Sequence, residues 1–173
     1  MKEKTVGQKR LERIIYIILA IAIVVRFTQA YFDLKNKQSI EMGEQAVPDF
    51  VWRDFESNKH TFSNIKDKVI VLHFWASWCG PCRTEFPSLL RAAKTLENEV
   101  VFLTISGDET DAPVKKFLAA AKDAAGVKPD NVLYGWDPMR YLIFDTFQTT
   151  AFPESIIIDE RMKMRRKIMG KTD

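Results

Sequence analysis

The chain has 173 residues, is 46% hydrophobic and contains four Trp, which suits one packed domain plus an appendage. Its formal net charge of +3 is uneven: residues 1–26 carry six Lys/Arg against two Glu, and the remainder is close to balance. A basic nucleic-acid surface on the body is therefore not expected.

The N-terminal stretch MKEKTVGQKRLER, residues 1–13, is polar and basic, and IIYIILAIAIVV, residues 14–25, is unbroken apolar sequence. Twelve helical residues reach only about 18 Å, against a hydrocarbon core of about 30 Å. Two readings fit. In one, residues 14–32 form a transmembrane signal anchor in the lipid bilayer, with Arg26 snorkelling to the interface. In the other, a signal peptide is cut after Thr28-Gln29-Ala30. Arg26 and the poor cleavage site favour the anchor, and a buried core helix is disfavoured because the segment lacks a polar face. Either export reading keeps the basic residues inside and sends the body outside.

Residues 33–46, polar and without periodicity, read as a tether, and residues 47–173 as the folded domain. FVWRDF alternates as an edge strand does, and ESNKHTFSNIKD reads as turn and loop. VIVLHFWA, residues 69–76, has the apolar, β-rich character of a buried strand. A helix is predicted from Cys79 to Glu97, with Pro81 in its first turn and a kink at Pro87. VVFLTIS, residues 100–106, is a second buried strand. An Ala-rich helix over 112–125 follows, ending near Gly126. Asn131 to Tyr134 is a short strand candidate, and Met139 to Phe147 a helical one. ESIIIDE is a third clear strand, and MKMRRKIMG can pair with it as a hairpin, Arg161 to Lys167 being a solvated strand face. Strands alternating with helices predict an α/β domain with a mixed central sheet flanked by helices.

Both cysteines lie in FWASWCGPCRTEFP, residues 74–87. A bridge closing so small a loop removes little unfolded-state entropy, so the Cys79–Cys82 pair reads as chemistry rather than a staple. Cys79 is placed at a helix N-terminus, where unpaired N–H groups and the dipole favour the reactive thiolate. Cys82, three residues on, shares its face and can close the disulfide. Trp75 and Trp78 flank the pair and could supply an apolar docking surface. Glu85 is one turn beyond Cys82 and either exchanges a proton with a thiol or is a solvated helix-surface Glu. Structural zinc wants four ligands, and neither His60 nor His73 stands at ligand spacing, so no metal or other cofactor is expected.

VPDF, then VIVLHFWASWCGPCRTEFPSL, then FPESIIIDE resembles the membrane-anchored TlpA/ResA-like branch of thioredoxin-fold proteins over roughly residues 44–170. The resemblance implies a thioredoxin-like fold behind one N-terminal transmembrane helix, in a bacterial cytoplasmic membrane with the domain facing the periplasm or extracytoplasmic space. It implies that Cys79 attacks, Cys82 resolves and Glu85 is an acidic group near the site. It implies that the Phe152–Pro153 bond is cis and lies against the cysteines, although from sequence alone Pro153 could merely begin a strand. Trp75, Trp78, Gly80, Pro81, Phe152 and Pro153 are then the candidate substrate-binding residues. The implied activity is thiol:disulfide exchange, reducing disulfides in exported proteins such as apocytochrome c, with a membrane electron donor restoring the dithiol. The rival readings are a peroxiredoxin-like peroxidase and a non-catalytic Cu(I) chaperone.

Three positions depart from the family pattern. His73 stands where cytosolic thioredoxins carry a buried acid, and is either a hydrogen-bonded core residue or a group that alters cysteine protonation. Met162 stands where a turn commonly has Gly, predicting a reshaped turn. The family's C-terminal helix does not follow Gly170, which predicts either exposed apolar surface or a covering partner.

Overall fold

The computed structural model describes residues 16–28, 39–65 and 67–171. The chain divides into two units, residues 1–38 and 39–173. In the first unit, residues 16–28 form a helix, α1, with exposed side chains. At 13 residues it is about 20 Å long. Among the described residues no helix is long and apolar enough to cross a membrane. The anchor expected over 14–32 includes residues 14, 15 and 29–32, which lie outside the described residues.

The second unit is built on one eight-stranded sheet. Its strands are β1 (Ser39–Ala46), β2 (Val51–Arg53), β3 (Lys59–Thr61), β4 (Val69–Trp75), β5 (Val100–Ser106), β6 (Val132–Trp136), β7 (Glu154–Ile158) and β8 (Lys163–Met169). The spatial order is β1-β8-β7-β4-β5-β6-β2-β3. β4, β5 and β6 run parallel, and every other pairing is antiparallel. The expected mixed sheet with flanking helices is therefore present.

The period-2 alternation of β4 sorts the core into two layers. Val71, His73 and Trp75 face α2 (Gly80–Thr95) and α3 (Asp111–Ala125), where Phe86, Leu90, Phe117 and Leu118 fill the space. Ile70, Leu72 and Phe74 face the other side, against Phe50, Phe62, Ile143 and Phe147. β4 ends at the sheet centre, so the turn after it delivers the cysteine segment to the edge of both layers. α2 continues through Pro87, and α3 closes on Gly126 in the left-handed region at φ 67°, whose N–H returns to the carbonyls of Lys122 and Asp123.

Four expectations need correction. Residues 39–46, assigned to the tether, are β1 and pair with β8. Their polar composition suits an edge strand, which shows no buried alternation. The stretch read as loop after β2 contains β3 and a 3₁₀ turn at Phe62–Asn64, anchored by the buried Phe62. The helix expected over 139–147 is a π-helical turn, Tyr141–Thr146. The turn at Met162 is not reshaped: Met162 takes the left-handed conformation itself, at φ 59°, and its N–H donates to the Asp159 carbonyl.

Candidate active site

Cys79 is the N-cap of α2, with extended backbone, and its Sγ accepts from the Cys82 N–H at 3.2 Å. Pro81 stands in the first turn, where its missing N–H removes a donor that would otherwise be orphaned. Cys79 and Cys82 are joined in a disulfide with their Cα atoms 5.3 Å apart. The two sulfurs are not equivalent. Cys79 keeps 6% of its surface exposed and Cys82 none, so an incoming sulfur can meet only Cys79. On reduction, the helix N-terminus and the Cys82 N–H both favour Cys79 as a thiolate.

The turn carrying Cys79 is tied down by a residue that the sequence reading missed. Asp108, buried just after β5, accepts from the Ser77 N–H at 2.8 Å, the Ser77 hydroxyl at 2.6 Å and the Ser106 hydroxyl at 2.7 Å. Its own carbonyl accepts from the Trp136 indole at 2.7 Å. The arrangement joins the ends of β4, β5 and β6 directly under the cysteine turn. Only the 31-residue separation between Ser77 and Asp108, across a helix, hid the pairing.

Glu85 is buried on the sheet side of α2 and lines a cavity of about 300 Å³ with Val71, Phe102 and Ser155. The solvated-surface reading of Glu85 therefore fails. His73 lies wholly inside, its Nδ1 2.9 Å from the Ser155 hydroxyl and its ring tilted against Phe86. Burial pushes its pKa down to about 4, so the imidazole is neutral near pH 7. It is a hydrogen-bonded core histidine.

The candidate substrate-binding residues separate. Trp78 is 61% exposed, and Gly80 and Pro81 are exposed beside it. Trp75 is fully buried, which corrects its assignment to a docking surface: it is the last inward residue of β4, and its ring meets Phe86 and Phe117 at 4.5 and 5.1 Å. The Phe152–Pro153 bond is cis, and the half-buried Phe152 ring lies 5.7 Å from Trp78. Gly107 makes this fit possible, because a Cβ there would come within 2.8 Å of the Phe152 ring.

One reachable sulfur, one shielded sulfur and a bond that opens and closes between them can pass two electrons to or from another sulfur pair. Fold and site together define a thioredoxin-fold thiol:disulfide oxidoreductase. Residues 43–167 match the AhpC/TSA family. The chain is 32% identical to the thiol-disulfide oxidoreductase ResA of Bacillus cereus over 159 residues, covering 91% of this chain and 86% of that one. It is 30% identical to the thioredoxin-like protein YneN of Bacillus subtilis, over 73% of this chain and 71% of that one. Among solved structures, the fold is shared with a DsbF homologue of Corynebacterium diphtheriae at a TM-score of 0.61 and 20% identity, covering 79% of this chain and 87% of that one. The chain belongs to the ResA-like branch of the thioredoxin-fold thiol:disulfide oxidoreductases.

Proposed function

We propose that the protein is an exported, membrane-anchored reductant of disulfides in extracytoplasmic proteins, with apocytochrome c as the candidate target. The unequal exposure of the two cysteines supports the exchange order. The Cys79 thiolate attacks one sulfur of the substrate disulfide, and the other substrate sulfur leaves as a thiolate and takes a proton. Cys82, deprotonated, then attacks Cys79 Sγ. The second substrate thiol is released, and the Cys79–Cys82 disulfide re-forms. Two electrons have moved to the substrate, and a membrane donor returns two to the protein. The apolar run behind basic residues 1–13 supports the anchor and the outward-facing domain. The family resemblance supports the cytochrome target.

The test is equilibration of the Cys79–Cys82 couple against dithiothreitol or glutathione buffers. A potential near thioredoxin's, about −270 mV, is expected. A value near about −120 mV would identify an oxidant instead and remove the cytochrome reading. Cys82→Ser should accumulate the mixed disulfide through Cys79, which a peroxidase would not form with a protein disulfide. Peroxide consumption measured alongside separates that activity.

A further inference from the structure

Large exposed apolar side chains gather on and just before the π-helical turn, a segment to which the exchange chemistry gives no task. Met139, Tyr141 and Phe144 are all exposed, Phe144 by 43%. The Phe144 ring lies 6.1 Å from Phe152 at an interplanar angle of 20°, and Phe152 in turn meets Trp78. The rings form a continuous strip, Phe144–Phe152–Trp78, that starts one residue from the reactive cysteine.

The strip is held in place. The π-helical turn that carries Phe144 sinks Ile143 and Phe147 into the core, and the Ile143 N–H donates to Asp137 Oδ2 at 2.9 Å. Arg140 precedes the turn in the left-handed region at φ 59°. Its Nε donates to the Gly107 carbonyl at 2.7 Å, and its guanidinium lies 5.8 Å from the Trp78 ring centroid. Glu109 is 3.6 Å from the same guanidinium. The Arg140 cation beside the strip is thus already engaged, which leaves an apolar, pre-organised face. π-helical backbone is rare and is found frequently at functional sites.

We propose that this strip selects substrates, docking an aromatic or large aliphatic side chain adjacent to the cysteine that Cys79 attacks. The inference rests on the exchange reading above and adds the substrate class: polypeptides whose reacting cysteine lies in an accessible stretch next to such a residue. Because the strip reaches Trp78, which adjoins Cys79, the residue it reads is one that flanks the attacked cysteine. Phe144 is the specificity-determining contact, and Arg140 is a positioning residue that steadies Trp78.

The test uses the full chain, reduced, against two peptides that carry the same internal disulfide and differ only in Phe or Ala beside the attacked cysteine, with glutathione disulfide as a third substrate. An aromatic pair of this kind predicts that the wild-type protein prefers the Phe peptide in kcat/KM by about fivefold. Phe144→Ala should bring that ratio close to one, and Phe144→Leu, which keeps apolar bulk, should retain most of it. Circular dichroism verifies that each variant is folded. Equal rates on the two peptides with the wild-type protein, or an undiminished ratio in Phe144→Ala, would overturn the proposal. Failure of the wild-type protein on all three disulfides would instead bring down the exchange reading and the proposal with it.

Discussion

His73 shows how a single buried group makes stability depend on pH. Its folded pKa is about 4 against 6.5 for the free side chain, with burial as the cause. Between these values the unfolded chain takes up a proton that the native state refuses. Stability contributed by this site is therefore full above pH 6.5, falls as pH drops through that value, and levels off below pH 4. Unfolding by urea at pH 7.5 and at pH 4.5 should show a loss of about 2 to 3 kcal/mol from this residue. His73→Asn should remove most of that difference, and an unchanged pH slope in the variant would exclude His73 as its source. The residue was visible in the sequence as a histidine inside an apolar strand. Its neutrality was not, because that follows from complete burial, and its hydrogen-bond partner, the Ser155 hydroxyl on β7, stands 82 positions away. Cys79 and Cys82 were legible because their chemistry depends on local spacing. Trp75 was misread because burial depends on which face of β4 the helices cover.

Secondary structure tells a parallel story. β4, β5, β7, α2 and α3 were legible because continuous apolar runs, a helical period and terminal glycine or proline are local signals. β1 and β3 were not, because polar edge strands are defined by the neighbour they pair with. The turn from β4 into α2 combines both kinds of information. Its cysteine spacing is local, and its anchorage on Asp108 is not. Asp108→Ala would leave the Ser77 N–H and two hydroxyls without their acceptor inside the protein, at a cost of about 2 to 4 kcal/mol. Denaturant midpoints should register that loss. The rate of exchange at Cys79 should fall as well, since the same contacts fix the start of α2. A stable variant with normal turnover would mean that the turn holds its shape without Asp108.

Across the molecule, one buried ion pair joins the far strand to the cis-proline region. Lys167 on β8 lies 3.0 Å from Glu154 on β7, and Glu154 also accepts from the Thr149 hydroxyl at 2.7 Å. The same ammonium donates to the carbonyls of Phe147 and Gln148, so β8 holds the segment that leads into Phe152–Pro153. Lys167→Met would strand a wholly buried carboxylate and should cost about 3 to 5 kcal/mol. Adding Glu154→Gln should restore part of that stability, because the amide can still accept from Thr149. A double variant no more stable than the single one would show that the carbonyl contacts of Lys167, rather than the charge pair, matter most.

The pairing of β1 with β8 changes where the folded unit begins. Glu41 pairs with Arg166, and Val47 N–H donates to the Met162 carbonyl, so the strand is fastened at both ends. A protein trimmed to begin at Val47, where the apolar pattern starts, would keep every residue of the redox centre and lose the cover on β8. The bared backbone of β8 would then be open to any strand that came by, including that of a second copy. The eight residues of β1 are thus expected to guard β8 against such pairing, and light scattering should show more self-association for a version starting at Val47 than for one starting at Ser39.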